Sequence, residues 1–126
     1  MVFEESNKAI YIQIADRICN EILDGLYLPD SRLPSVREYA SDLQVNANTV
    51  MRSYDRLSQK GVIYNRRGIG FFVSPDAKEK ILSEKAELLM DSRINELFDL
   101  LYHLEISPDN LKAQYMRFIE SKNKEK

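Results

Sequence analysis

Apolar positions along the chain alternate between helical and strand spacing, and the changes of period divide it into elements. Tyr11, Ile14, Ala15, Ile18 and Ile22 recur with a helical period, so Lys8 to Asp24 is predicted as a first helix. Gln13, Asp16, Arg17, Asn20 and Glu21 are expected to stay in water, and Gly25 stops the helix. Val36, Tyr39, Ala40 and Leu43 make a shorter stripe behind Ser35, which forms a capping box with Glu38. The pattern breaks at Gln44-Val45, and Asn46 offers a fresh cap for a third helix over 47–60, with Val50, Tyr54 and Leu57 inward. Two helices joined by so few residues cross at about 90–120°, which pushes the second one outward.

After Gly61 the period shortens. Val62-Ile63-Tyr64 and Phe71-Phe72-Val73 read as β-branched and aromatic strands around a turn at 65–70. Pro34 keeps Leu33 extended, so Arg32-Leu33 is expected as a brief edge strand able to pair with them. Ser74-Pro75-Asp76 marks a boundary. From Ala77 to about His103 no glycine or proline intervenes, and Leu82, Ala86, Met90, Ile94, Leu97, Leu101 and Leu104 recur at gaps of three and four. That is an amphipathic helix about forty ångströms long at 1.5 Å per residue. Ser107-Pro108 then starts another, with Leu111, Tyr115, Phe118 and Ile119 on one face, and 121–126 are expected to fray.

The predicted fold is mostly α with a small β-hairpin, an α+β arrangement: a winged helix-turn-helix over 1–75 and a C-terminal two-helix dimerisation region over 76–126. A two-helix hairpin holds too little core to bury its own apolar face. Pairing with a second copy is the economical solution, through Met90, Ile94, Leu97, Phe98, Leu101 and Leu104 of the long helix with Tyr115 and Phe118 of the last. The competing arrangement folds the long helix back on its own head.

Charge sharpens the picture. The chain has 126 residues and a net charge of −2, which by itself says nothing of nucleic acid. Between Arg32 and Arg67, however, seven bases face three acids, a balance of +4, while the remainder carries eleven bases and seventeen acids, −6. Such segregation directs a positive field from one part of the molecule toward phosphates. The apolar share is 44% and the charged share 30%, with no run of about eighteen apolar residues and no export pattern in Met1 to Ser6, so a cytoplasmic location without a membrane partner is expected. Cys19 is the only cysteine, which excludes an intrachain disulfide, and it is expected to pack in the first helix. His103 has no partner that the sequence places nearby, and the carboxylates lack metal-ligand spacing. Neither an enzyme nor a cofactor is expected.

The candidate DNA-binding residues follow from chemistry and position. Ser35 and Arg37 open the second helix; Asn46, Ala47, Asn48, Thr49 and Arg52 open the third. Asparagine pairs with adenine edges, arginine with guanine or phosphate, and a helix N-terminus presents free amides to an anion. Arg66, Arg67, Gly68 and Gly70 form a cationic hairpin tip suited to a minor groove or to phosphates. Asp55 lies on the same helix and is expected at the rim of such a contact.

The run from Ile10 to Val73 resembles the DNA-binding domain of the GntR family of bacterial transcription regulators. The resemblance rests on Ile10-Tyr11 with Gln13-Ile14-Ala15, Leu33-Pro34-Ser35 with Arg37, Asn48-Thr49-Val50, and the Gly68-x-Gly70-x-Phe72-Val73 wing. The form Asn46-x-Asn48-Thr49-Val50, with a tail of about fifty residues, is most similar to the YtrA subfamily. The chain departs from the family pattern at Asp30 and Gln44, where glycine is usual, at Phe71, where threonine is usual, and at Ala47, where many relatives carry arginine. The resemblance implies a homodimer on an inverted-repeat operator, most often a repressor. A small-molecule effector stays open, since a tail this short leaves only the dimer interface for a pocket and no residue nominates one. The alternative is a winged helix used as a protein-interaction module, which has no need of paired wing arginines.

Overall fold

The structure, a computed structural model, describes residues 8 to 125; the reading of Met1 to Ser6 lies outside them. The chain divides into two compact units, one ending at Glu84 and the other beginning at Lys85. The head therefore extends beyond the boundary expected at residue 75. The cause is Ala77 and Ile81, which are buried in the same apolar cluster as Ile14, Ile18, Val50 and Val73.

The head runs α1 (Ile10–Leu23), α2 (Val36–Leu43), α3 (Ala47–Gln59), β1 (Ile63–Arg66), β2 (Gly70–Val73) and then the start of α4 (Ala77–Leu88). The predicted caps form: Ser35 Oγ accepts the Glu38 amide at 3.1 Å and Asn46 Oδ1 accepts the Asn48 amide at 2.8 Å. The predicted stripes face inward, with Ile14, Ile18, Val50 and Tyr54 wholly buried. Cys19 packs against this core from its edge. Ser53 is also fully buried, and its hydroxyl donates to the Tyr11 carbonyl at 2.7 Å, so α3 is pinned to α1 by a polar as well as an apolar contact.

β1 and β2 pair antiparallel with Ile63 opposite Val73 and Arg66 opposite Gly70. The strands thus run further than the apolar residues alone suggest: Asn65, Arg66 and Gly70 belong to the ladder, and the turn is only 67–69. Arg32 bridges to Phe72, while the Leu33 amide donates to the Phe71 carbonyl at 2.9 Å and the Val73 amide to the Ser31 carbonyl at 3.0 Å. The edge strand pairs as expected and places β2 in the middle. Tyr54 is the meeting point of the head: its ring stands edge-on to Phe71 at 5.0 Å, tilts toward Tyr39 at 6.2 Å, and its hydroxyl donates to the Pro34 carbonyl at 2.7 Å.

Three of the four departures from the family pattern have physical readings in the head. Asp30 and Gln44 stand at φ of 60° and 57°, so the left-handed backbone that glycine usually supplies is kept by two polar residues that tolerate it. Around Gln44 the Val45 amide donates to the Ala40 carbonyl at 3.0 Å and the Gln44 amide to Ser41 at 3.2 Å, the paired bonds of a Schellman helix stop. Phe71 contributes an aromatic ring to Tyr54 where a threonine could not.

Glu21 differs from expectation. It is half-buried, its side chain 18% exposed, and it accepts hydrogen bonds from the Tyr39 and Tyr27 hydroxyls. A single carboxylate thereby ties α1 to α2 and to the loop between them. Burial, with the Glu21 carboxylate assisting, pushes the Tyr27 hydroxyl up to about 12 and raises Tyr39 further. An unfolded tyrosine ionises near pH 10, so each raised tyrosine contributes stability that is whole below pH 10 and is lost as pH rises above it. The limiting loss is about 1.4 kcal/mol per pH unit for each such group. Tyr39→Phe is expected to flatten the fall of the urea midpoint between pH 10 and 11.5; parallel curves would show that Tyr39 ionises normally.

The second unit comprises the end of α4, a π-helical turn at Leu89–Arg93, α5 (Ile94–His103) and α6 (Pro108–Lys124). The uninterrupted long helix of the sequence reading is thus broken in pitch, and the Ser92 hydroxyl donates back to the Leu88 carbonyl at 2.9 Å within that turn. Ser107 caps α6 by accepting the Asn110 amide at 3.1 Å, with Pro108 in its first turn. The residues 121–124 expected to fray are helical. Two helices hold too little core to bury their own apolar face, and within one chain that face stays uncovered. No residue of α5 or α6 is buried, and Leu97, Leu104, Tyr115 and Phe118 are exposed. Among the described residues no helix is long and apolar enough to cross a membrane.

Candidate nucleic-acid interface

Helix α3 presents one dry and one wet face. Val50, Ser53, Tyr54 and Leu57 fill the first, and Asn48, Arg52, Asp55 and Gln59 lie a turn apart on the other, all exposed. Asp55 is exposed on this same wet face. The guanidinium of Arg52 stacks over the Tyr11 ring at 4.1 Å, so this cation is preoriented by α1. Tyr11, Arg52, Asp55, Arg56 and Gln59 line an open recess of about 240 Å³ along this edge.

At the N-terminal end of α3, Asn48 is exposed and Thr49 half-buried, while Ala47 packs against the core. Asn46 is committed through its carbonyl oxygen to capping, as Ser35 is through its hydroxyl. These two residues therefore fix where helix amides point, whereas the side chains of Asn48 and Arg52 are exposed and take no part in capping. Arg37 stands exposed in the first turn of α2.

In the wing, Arg66 lies across from Gly70, and its guanidinium sits 5.4 Å from the centre of the Phe72 ring. Phe72 in turn stacks on Tyr64 at 5.6 Å, and the Tyr64 hydroxyl donates to Asp30 at 2.9 Å, which raises the tyrosine above its usual value. Arg67 and Gly68 occupy the exposed tip, where the Ile69 amide closes the turn on the Arg66 carbonyl at 2.9 Å. Gly70, at φ 142°, would bring an added Cβ to 3.0 Å from the Arg32 side chain. Arg32 was not in the sequence-derived set. The pairing of Arg32-Leu33 with the wing strands is expected from Pro34, but the approach of the Arg32 side chain to Gly70 is set by contacts that spacing does not reveal.

Helix α3 is also held at its far end. Lys60, its C-cap, forms an ion pair with Glu84 of α4, and Lys80 of α4 donates to the Gly61 carbonyl at 3.3 Å.

Comparison with known proteins gives this geometry a lineage. Residues 10–73 match the family described as bacterial regulatory proteins, gntR family. The chain is 33% identical to the transcriptional repressor YtrA of Bacillus subtilis over 97 residues, covering 77% of this chain and 75% of that protein. A crystal structure of a GntR-family regulator from Bacteroides thetaiotaomicron superposes with a TM-score of 0.77 at 50% identity, covering 90% of this chain and 99% of that one. The AraR DNA-binding domain, solved in complex with an operator, matches with a TM-score of 0.52 at 27% identity over 59% of this chain and 89% of that one. With its capped recognition helix and cationic wing, and with half its length matched by the family's own pattern, the chain belongs to the gntR family of bacterial regulatory proteins, and its relatives there include the YtrA repressors.

Proposed function

We propose that this regulator represses transcription by occupying an inverted-repeat operator as a homodimer, each head placing α3 in a major groove and its wing against the neighbouring backbone. The observation that carries the reading is the contrast within α3. Its cap residues are satisfied internally, while Asn48 and Arg52 remain exposed on the outward face of the same element as the N-terminal amides. Two such heads related by a two-fold axis read half-sites one helical turn, or a multiple of it, apart.

Selecting bound fragments from the organism's own genome would yield the operator. On that operator Asn48→Ala is expected to cost roughly 1–3 kcal/mol, with a much smaller loss on random duplex. Equal losses on both would reassign Asn48 to backbone positioning. If about six phosphates are neutralised, the logarithm of the wild-type affinity falls with that of the salt concentration at a slope near −5. Absence of binding to any duplex at low salt would leave the winged head as a protein-interaction module.

A further inference from the structure

We infer that Arg32 is a third cation of the wing and that it and Arg66 together hold a DNA backbone phosphate on the outward face of the wing sheet. The inference rests on the DNA-binding reading above and adds a contact residue that lies outside both the recognition helix and the hairpin tip.

The register supplies the argument. Residues directly opposite in an antiparallel ladder share a face, as do residues two apart on one strand. Arg32 is opposite Phe72, Phe72 is opposite Tyr64, and Arg66 is opposite Gly70, two residues before Phe72. Arg32, Tyr64, Arg66, Gly70 and Phe72 therefore lie on one side of the sheet. The other side carries Ile63, Phe71, Val73 and Leu33 toward the core.

On the outward side, Gly70 leaves the space that the Arg32 side chain enters, with Nε 3.0 Å and Nη2 3.5 Å from where a Cβ would stand. Arg66, on the opposing strand at that same rung, leans over Phe72. Two exposed arginines thus stand on one face of the sheet, the guanidinium of one beside Gly70 and that of the other over Phe72, two residues along the same strand. Among the described residues neither makes an ion pair with a carboxylate within 4.0 Å. The carboxylate of Asp30, two residues before Arg32, accepts instead from the Tyr64 hydroxyl. Like charges brought together repel unless an anion is shared between them, and planar guanidinium groups match the oxygens of a phosphate. The backbone of a duplex supplies such oxygens along both edges of the groove that a wing meets.

The test is the salt dependence of binding to a fixed mixed-sequence duplex of about thirty base pairs, between 50 and 300 mM KCl. Arg32→Met and Arg32→Gln, each verified as folded by circular dichroism, are expected to lower the slope by about one unit and to weaken binding roughly eightfold at 0.1 M salt. Met keeps the aliphatic packing of the stem and Gln keeps its polarity, so a loss common to both is a loss of charge. If the wild type binds and either folded variant retains the wild-type slope, Arg32 is a packing residue and the inference falls. If the wild type itself fails to bind the duplex, it is the DNA-binding reading that falls.

Discussion

Leu97→Asp with Leu101→Asp is expected to leave a folded head on a monomeric chain, as read by light scattering, and to weaken operator binding by about 10²–10⁴. Among the described residues the apolar side chains of the π-helical turn and α5 stay open to solvent: Met90 is 56% exposed, Leu97 49%, Phe98 46% and, just past α5, Leu104 61%. Ile94 and Leu101, at helical spacing with Leu97 and Phe98, complete the stripe and are only partly sheltered. A contiguous apolar face of this kind marks an interaction surface in a soluble protein, and a second copy is the occupant we propose. The loss of affinity follows from arithmetic. When two heads are joined, the second half-site is met at an effective concentration of the linked head, and unlinking them forfeits that gain without touching a DNA contact. A double variant that stays dimeric would place the contact elsewhere, for instance on the outward face of α4. A monomer with unchanged operator affinity would remove dimerisation from recognition altogether.

Replacing Arg66 and Arg67 with alanine is expected to weaken binding to every duplex by roughly sixtyfold at 0.1 M salt and to flatten the salt slope by about two units. Both side chains are exposed, Arg66 at the end of β1 and Arg67 in the three-residue turn that follows, so little stability should be lost with them. The discrimination between operator and random sequence should change far less than the affinity, since phosphate contacts position a protein and base contacts specify it. An unchanged slope would take the wing out of the mechanism. Selective loss on the operator alone would show instead that the wing reads bases or groove width.

How far the sequence could be read depended on the range of the interactions involved. Caps are local: Ser35 with Glu38, Asn46 with Asn48, and Ser107 with Asn110 each lie within three residues of one another, and all form in the structure. The inward stripes are equally local, because one helix decides which of its residues share a face. What escaped were partners brought together from afar. Glu21 looks like a surface residue until Tyr39 and Tyr27 arrive to donate to it. Ala77 and Ile81 look like the beginning of a separate helix until they are found in the core of the head. Arg32 stands on an edge strand that Pro34 foretells, but its side chain's place beside Gly70 emerges only once β2 pairs with it. The π-helical turn had a faint local sign in Ser92, whose hydroxyl competes for a helix carbonyl, but serine does so in many helices without a change of pitch.

The crossroads at Tyr54 has a consequence for the length of the half-site. One aromatic side chain of the recognition helix touches Phe71 of the wing and Tyr39 of the preceding helix, and it is tethered to Pro34. In the function proposed above, the helix that meets bases and the wing that meets phosphates are therefore joined through one side chain, which resists their sliding past each other to suit a longer or shorter target. A base pair added between the bases met by one and the phosphates met by the other displaces the latter by about 3.4 Å along the axis and turns them about it. The head then behaves like a fixed-gauge calliper, and tolerance for variable targets has to come from the gap between two heads.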